Sequence, residues 1–320
     1  MIDVGQIEEL SCKYDELVVQ LYHDFQGLSG LHGDFIEDCI ESIEEKKRKE
    51  GRLPVGEMFP LIVADGMAIA SDRRRQLAAG CLALHGYTRL VDKELDERGA
   101  LNARSSMAAS ALLGWGIATL SRETAGTRYA DMFVSNVTAA LSAQHDDLQY
   151  RSDLKHDRTE SDINKNRAIV ATVAAFCAAS GTMDDRLIKT TELLLGPFQR
   201  LDDLADLPED ILEKNLTWFA KIAHELAPSA DALRSMDASD MYKLLLMDQR
   251  ATHELHRIAI ALREAISLLE EPTDSDLLVY LTYLHESVLN LVSSITDFRT
   301  SGTGSISGLE RQIRALRVDV

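Results

Sequence analysis

The sequence predicts an all-α, single-domain helical bundle, and three observations predict it. Apolar residues recur at three- and four-residue spacing along nearly every long segment, strand-like alternation is nearly absent, and the six prolines are too scattered to form a linker. With 320 residues, 45% of them hydrophobic, the chain can bury a sizeable core. Length alone admits one large helical domain or two ordinary ones.

A first helix is expected over roughly 7–26, where Leu10, Tyr14, Leu17, Val18 and Leu21 share a stripe, and a second over roughly 32–50. The Gly51–Pro60 stretch breaks the pattern. A long helix then runs from Ser71 to Glu97, with Ser71 as N-cap, Asp72-Arg73-Arg74-Arg75 in its first turn, and Leu77, Cys81 and Leu84 on an apolar face. Gly99 closes it, and an alanine-rich helix follows over about 105–120. Further helices fit roughly 128–151, 160–180, 184–206, 208–225, 239–270 and 273–298. The Gly/Ser-rich Ser301–Gly308 run reads as a flexible connection, and Leu309–Val320, with Arg311, Arg314 and Arg317, either frays or folds back over a site. The domain is therefore placed at 1–300 and a flexible tail at 301–320. No repeat of solenoid period is present.

The balance of 34 basic against 52 acidic residues gives a formal net charge of -18. It disfavours binding to nucleic acid or to anionic membranes. An anionic substrate would need bound cations to reverse this field locally, although the surplus also fits an ordinary soluble surface. Cys12, Cys39, Cys81 and Cys177 are far apart, without compact Cys/His zinc spacing, and read as reduced core thiols. Neither a basic leader followed by an apolar run nor an apolar stretch of membrane-spanning length occurs, so a cytoplasmic protein without a transmembrane segment is expected.

Two acidic clusters carry the chemistry: Asp92-Lys93-Glu94-Leu95-Asp96, and Asp202-Asp203-Leu204-Ala205-Asp206 preceded by Gly196-Pro197-Phe198-Gln199. In a helix the outer carboxylates of each cluster lie four residues apart on one face, so two facing helices could hold divalent cations between them. Asp92 and Asp96 sit at a helix carboxyl end, which is already partly negative, and that placement makes sense if cations occupy the site. The alternative is a solvated, charged helix end.

These residues resemble the motifs of the trans-isoprenoid synthase superfamily, which comprises polyprenyl diphosphate synthases, squalene-type synthases and class I terpene synthases. Phe198-Gln199 followed by Asp202-Asp203-Leu204-Ala205-Asp206 matches the family's Phe-Gln-x-x-Asp-Asp-x-x-Asp pattern. His85-Gly86-Tyr87, Asp92 to Asp96 and Arg98-Gly99 occupy the setting of the first motif, with Lys93 replacing an aspartate. Gln144-His145-Asp146-Asp147-Leu148 resembles the family's Gln-x-x-Asp-Leu element, and Lys165 and Lys214 stand where diphosphate-binding lysines are common. The resemblance spans roughly 50–220.

It implies a helical bundle around a central cavity, a linear prenyl diphosphate as substrate, and a homodimer. It further implies roughly two or three magnesium ions with the bound diphosphate, held by Asp92, Asp96 and Asp202, with Asp206 and Asp203 as further ligands or supporting partners. Arg98, Lys165 and Lys214 would neutralise phosphate oxygens, Gln144, Asp147 and Gln199 would help hold substrate, and Tyr87, Trp115, Phe176 and Phe198 would surround the cavity. Each cation has a surface salt bridge as its alternative, and each aromatic has core packing.

The departures are as informative. Chain-elongating members grip a second diphosphate through a Gly-Lys-Arg-x-Arg-Pro-like segment, but here the stretch reads Gly56-Glu57-Met58-Phe59-Pro60-Leu61, where Glu57 would repel what a lysine attracts. Leu112-Leu113-Gly114-Trp115 carries an indole where the family has an acid. The expectation is therefore a class I terpene synthase or cyclase that ionises one allylic diphosphate. The alternatives are a divergent trans-prenyl diphosphate synthase or squalene-type prenyltransferase, favoured by the form of the second motif, and a noncatalytic regulatory homologue.

Overall fold

A computed structural model of the chain describes residues 9–10, 12–14, 17–18, 20–21, 55–96, 103–154, 156, 159–181, 185–269, 275–301 and 305–316. Among the described residues the regular structure is entirely helical. The expected helix over 32–50 lies outside them.

Helix α1 (Val55–Asp65) corrects the expected break: the chain is already helical from Val55, with Pro60 inside the helix. An interior proline removes one backbone hydrogen bond and costs about 3 kcal/mol. Burial of Phe59, Leu61, Ile62 and Val63 more than offsets that, at roughly 1.5–3 kcal/mol each. Helix α2 (Ser71–Asp96) follows, then α3 (Ala103–Thr124) and α4 (Ala130–Tyr150). Between α2 and α3 the backbones approach closely, because a Cβ on Gly116 would stand 2.9 Å from Leu84 Cδ2 and 3.0 Å from the Gly80 carbonyl oxygen.

The segment expected as one helix over 160–180 divides into α5 (Thr159–Asn164) and α6 (Arg167–Ser180), with Lys165 and Asn166 in the turn. Helix α7 (Asp185–Ala205) stops one residue before Asp206, and α8 (Leu207–Glu213) restarts with a proline in its first turn. Lys214 ends α8 in the left-handed region (φ 63°), which divides the expected 208–225 helix and lets α9 (Trp218–Leu226) set off in a new direction. After the short α10 (Ala230–Arg234), the expected 239–270 helix splits into α11 (Ala238–Leu246) and α12 (Gln249–Leu268). Asp248 caps α12 by accepting from the Arg250 backbone N–H at 2.8 Å. Arg299 of α13 (Asp276–Ser301) donates to the Leu246 and Asp248 carbonyls beside that break.

Helix α6 is the hub. Residues Val170 to Cys177 are buried, and α1, α2, α3, α4 and α7 all pack against it. Helices α12 and α13 complete the bundle, α12 against α7 and α13 against α1. The flexible tail expected over 301–320 is corrected in part. Helix α14 (Ile306–Ala315) is capped by Ser305 and buries Leu309, Ile313 and Leu316 against α7, α11 and α13. Cys81 and Cys177 are buried thiols as expected, whereas Cys12 is an exposed one.

Candidate active site

Helix faces, together with the break between α5 and α6, bring side chains to one cavity of about 90 Å³. Helix α2 supplies His85 and Thr88 to its wall, α4 supplies Gln144, and the turn between α5 and α6 supplies Lys165 and Asn166. Helix α7 supplies Gln199 and Asp202. An apolar side is made by Pro60, Cys81, Leu84 and Ile169. Four residues singled out in the sequence, Gln144, Lys165, Gln199 and Asp202, thus converge from three regions of the chain.

Around them the polar contacts are specific. Lys165 Nζ meets Asp147 Oδ2 at 3.2 Å, and both side chains are largely buried. Asn166 Nδ2 donates to Gln199 Oε1 at 2.9 Å, and Gln199 Nε2 donates to Asp203 Oδ1 at 2.7 Å. Asp203 does not line the cavity. It is 2% exposed, its second oxygen accepts from Arg200 Nη1 at 2.9 Å, and burial pushes its carboxyl above the usual range against the pull of Arg200. Asp206 occupies the N-cap position of α8 without a side-chain capping bond, and its backbone N–H donates to the Asp202 carbonyl at 2.9 Å. Nearby Asp210 accepts from Thr217 Oγ1 and Asn215 Nδ2, both at 2.8 Å, yet burial and the Asp203 charge push its carboxyl well up.

Other expected residues stand elsewhere. Lys214 is exposed at the end of α8 and does not line the cavity. Phe198 and Phe176 are fully buried, Phe198 edge-on to Phe59 with ring centroids 5.5 Å apart, while Tyr87 and Trp115 pack half-buried against the core. None of these four aromatics is among the residues lining the cavity. Asp92 and Asp96 lie on the last turns of α2, downstream of His85 and Thr88, but their side chains fall outside the described residues, as does Arg98 altogether. Asn166 and Arg200 were not singled out in the sequence. The polar Asn164-Lys165-Asn166-Arg167 stretch just before an apolar segment, and an arginine between Phe198-Gln199 and Leu201, are the signals that could have found them.

A divalent cation is the group the pattern implies. Among the described residues no three His, Cys, Asp or Glu side chains converge on one position. The described oxygen donors nevertheless suit a hard ion. Asp202 brings a carboxylate to the cavity, and Gln144, 3% exposed, keeps its buried Oε1 without a hydrogen-bond partner among the described residues. Magnesium needs few protein oxygens, since it keeps waters and takes phosphate oxygens from its substrate. No helix among the described residues is long and apolar enough to cross a membrane.

Neither a protein-family model nor a curated protein matches the chain. Solved structures do. The chain is similar to geranylgeranyl pyrophosphate synthetase from Pyrococcus horikoshii, with a TM-score of 0.66 and 16% identity over 88% of this chain and 98% of that one. The synthetase of the same name from Geoglobus acetivorans gives a TM-score of 0.65 and 16% identity, covering 90% of this chain and 99% of that one. A polyprenyl synthase from Roseobacter denitrificans gives 0.57 and 16%, covering 85% and 99%. At this identity the likeness is one of fold, and it runs almost end to end.

Proposed function

We propose that this chain, which has the isoprenoid synthase fold, is a magnesium-dependent trans-prenyltransferase of the trans-isoprenoid synthase superfamily, acting on a linear allylic prenyl diphosphate. One observation carries the reading: Asp202, Gln199, Gln144 and Lys165, remote in sequence, meet at a single cavity in a fold shared with two geranylgeranyl pyrophosphate synthetases. That likeness supports chain elongation over the cyclisation expected from the sequence.

The chemistry follows from the wall. Asp202 and Gln144 would hold magnesium through oxygen, together with Asp92 and Asp96 of α2. Magnesium supplies, when bound, the positive charge that stabilises a departing diphosphate. Lys165 adds a cation beside it, kept in place by Asp147. Gln199 and Asn166 present fixed amides to phosphate oxygens. Leu84, Cys81, Ile169 and Pro60 keep water from the allylic cation that remains after the carbon–oxygen bond breaks. Cytoplasmic residence and a homodimer are proposed with this reading.

Cyclisation of a single diphosphate stays as the second reading, on one observation. The stretch that would grip a second diphosphate forms the first turns of α1, has no Lys or Arg between Val55 and Asp65, and commits Phe59 to the core. Incubation with geranyl, farnesyl and geranylgeranyl diphosphate plus magnesium, with and without isopentenyl diphosphate, separates the two. A longer linear diphosphate formed only with isopentenyl diphosphate is the expected product. A hydrocarbon or alcohol made from one allylic diphosphate would favour cyclisation, and no uptake of any of these substrates would leave the noncatalytic homologue.

A further inference from the structure

Arg200 lies inside the second acidic motif, between Gln199 and Asp202, and is only 3% exposed. A guanidinium is not buried without partners, and this one has three. Its Nη1 donates to Asp203 Oδ2 at 2.9 Å, its Nε lies 3.7 Å from Glu254 Oε1 of α12, and its guanidinium carbon stands 5.5 Å from the centre of the Trp218 ring of α9. The cation is thus clamped from two other helices.

From there a chain of bonds runs to the cavity. Asp203, held by Arg200 through one oxygen, accepts from Gln199 Nε2 through the other, and Gln199 Oε1 accepts from Asn166 Nδ2. Gln199 and Asn166 line the cavity, while Asp203 does not. A carboxamide has a donor end and an acceptor end, so an acceptor-only carboxylate on one side and an amide N–H on the other permit a single orientation.

We propose that Arg200 is a positioning residue. It withdraws Asp203 from metal ligation and, through Asp203, fixes the Gln199 and Asn166 amides where a diphosphate binds, leaving Asp202 as the cavity-facing carboxylate of the pair. This inference rests on the prenyl diphosphate reading above.

The test titrates inorganic pyrophosphate with magnesium chloride into the full chain by calorimetry, in wild type, Asp202→Asn, Asp203→Asn and the double variant Arg200→Met/Asp203→Leu. Asp203→Asn keeps one acceptor oxygen for Gln199 but loses the ion pair with Arg200, so it should weaken binding modestly, whereas Asp202→Asn should lose affinity far more strongly. The double variant removes the buried charge pair together with the acceptor, and should weaken binding about tenfold while still melting cooperatively, the scale of losing a group that orients others at a metal site. An Asp203→Asn loss equal to that of Asp202→Asn would make Asp203 a ligand and overturn the proposal. So would a folded double variant that binds like wild type. Should the double variant not fold, the comparison of the two single variants decides. If wild type itself takes up no pyrophosphate with magnesium, the functional reading falls and the proposal falls with it, an outcome distinct from failure of the variants alone.

Discussion

Gln144 Oε1 is a buried acceptor without a partner among the described residues, a state that ordinarily costs about 1–3 kcal/mol. Its position on the cavity wall gives that cost a use, since an oxygen left open can meet a cation. Gln144→Met should therefore raise unfolding free energy by about 1 kcal/mol in urea while weakening magnesium-dependent pyrophosphate binding. A variant that is both less stable and equally tight would contradict the role. Asp210 makes a pH prediction of definite sign. Its folded pKa is raised, first by burial and then by the Asp203 charge, so folding takes up a proton. The stability it contributes is full below the ordinary carboxylate range and drains away as pH rises through the raised folded value. Urea unfolding across that window should show wild-type stability falling more steeply than that of Asp210→Asn. Such residues were only partly legible beforehand. Asp202 and Gln199 are marked by a motif, but the sequence does not say that Asp203 turns inward, because that depends on Arg200 being held by Trp218 of α9 and Glu254 of α12.

Long elements were readable wherever one apolar face persisted. The 71–97, 128–151 and 184–206 expectations match α2, α4 and α7 to within two residues at each end. The breaks were not readable, because tertiary contacts set them. Periodicity runs through Met247–Asp248, where the Asp248 cap and the Arg299 side chain divide α11 from α12. It runs equally through Lys165–Asn166, where the interruption brings both side chains to the cavity. Pro60 misled in the opposite direction, since the burial gained by α1 outweighs one lost hydrogen bond. The α2–α3 seam supplies a test at this scale. Gly116→Ala sets a methyl group 2.9 Å from Leu84 Cδ2 and 3.0 Å from the Gly80 carbonyl oxygen, so the Leu84 side chain or the α2 backbone must shift. Chemical denaturation should show a loss of about 1–3 kcal/mol, the usual cost of overpacking. No loss would mean that the seam opens freely.

For the whole molecule, the helical class and a single bundle were legible, and the closing of that bundle was not. The Gly/Ser-rich 301–308 run pointed to a loose tail, yet the following residues return three apolar side chains to the core between α7, α11 and α13. Removing everything after Ser301 should accordingly lower stability by several kcal/mol, since each buried leucine or isoleucine contributes roughly 1.5–3 kcal/mol. An unchanged melting temperature would show α14 to be dispensable. The net charge of -18 sets the remaining problem, an acidic protein proposed to bind an anion. Cations bound at the end of α2 and along α7 would solve it locally, and that is the central claim. A crystal structure of the chain with magnesium and an uncleavable allylic thiolodiphosphate tests it most directly. The account predicts a diphosphate bridged by metal ions between Asp202 and the Asp92–Asp96 turn, with Lys165 beside it. A diphosphate bound away from that cavity, or held there without Asp202, would contradict it.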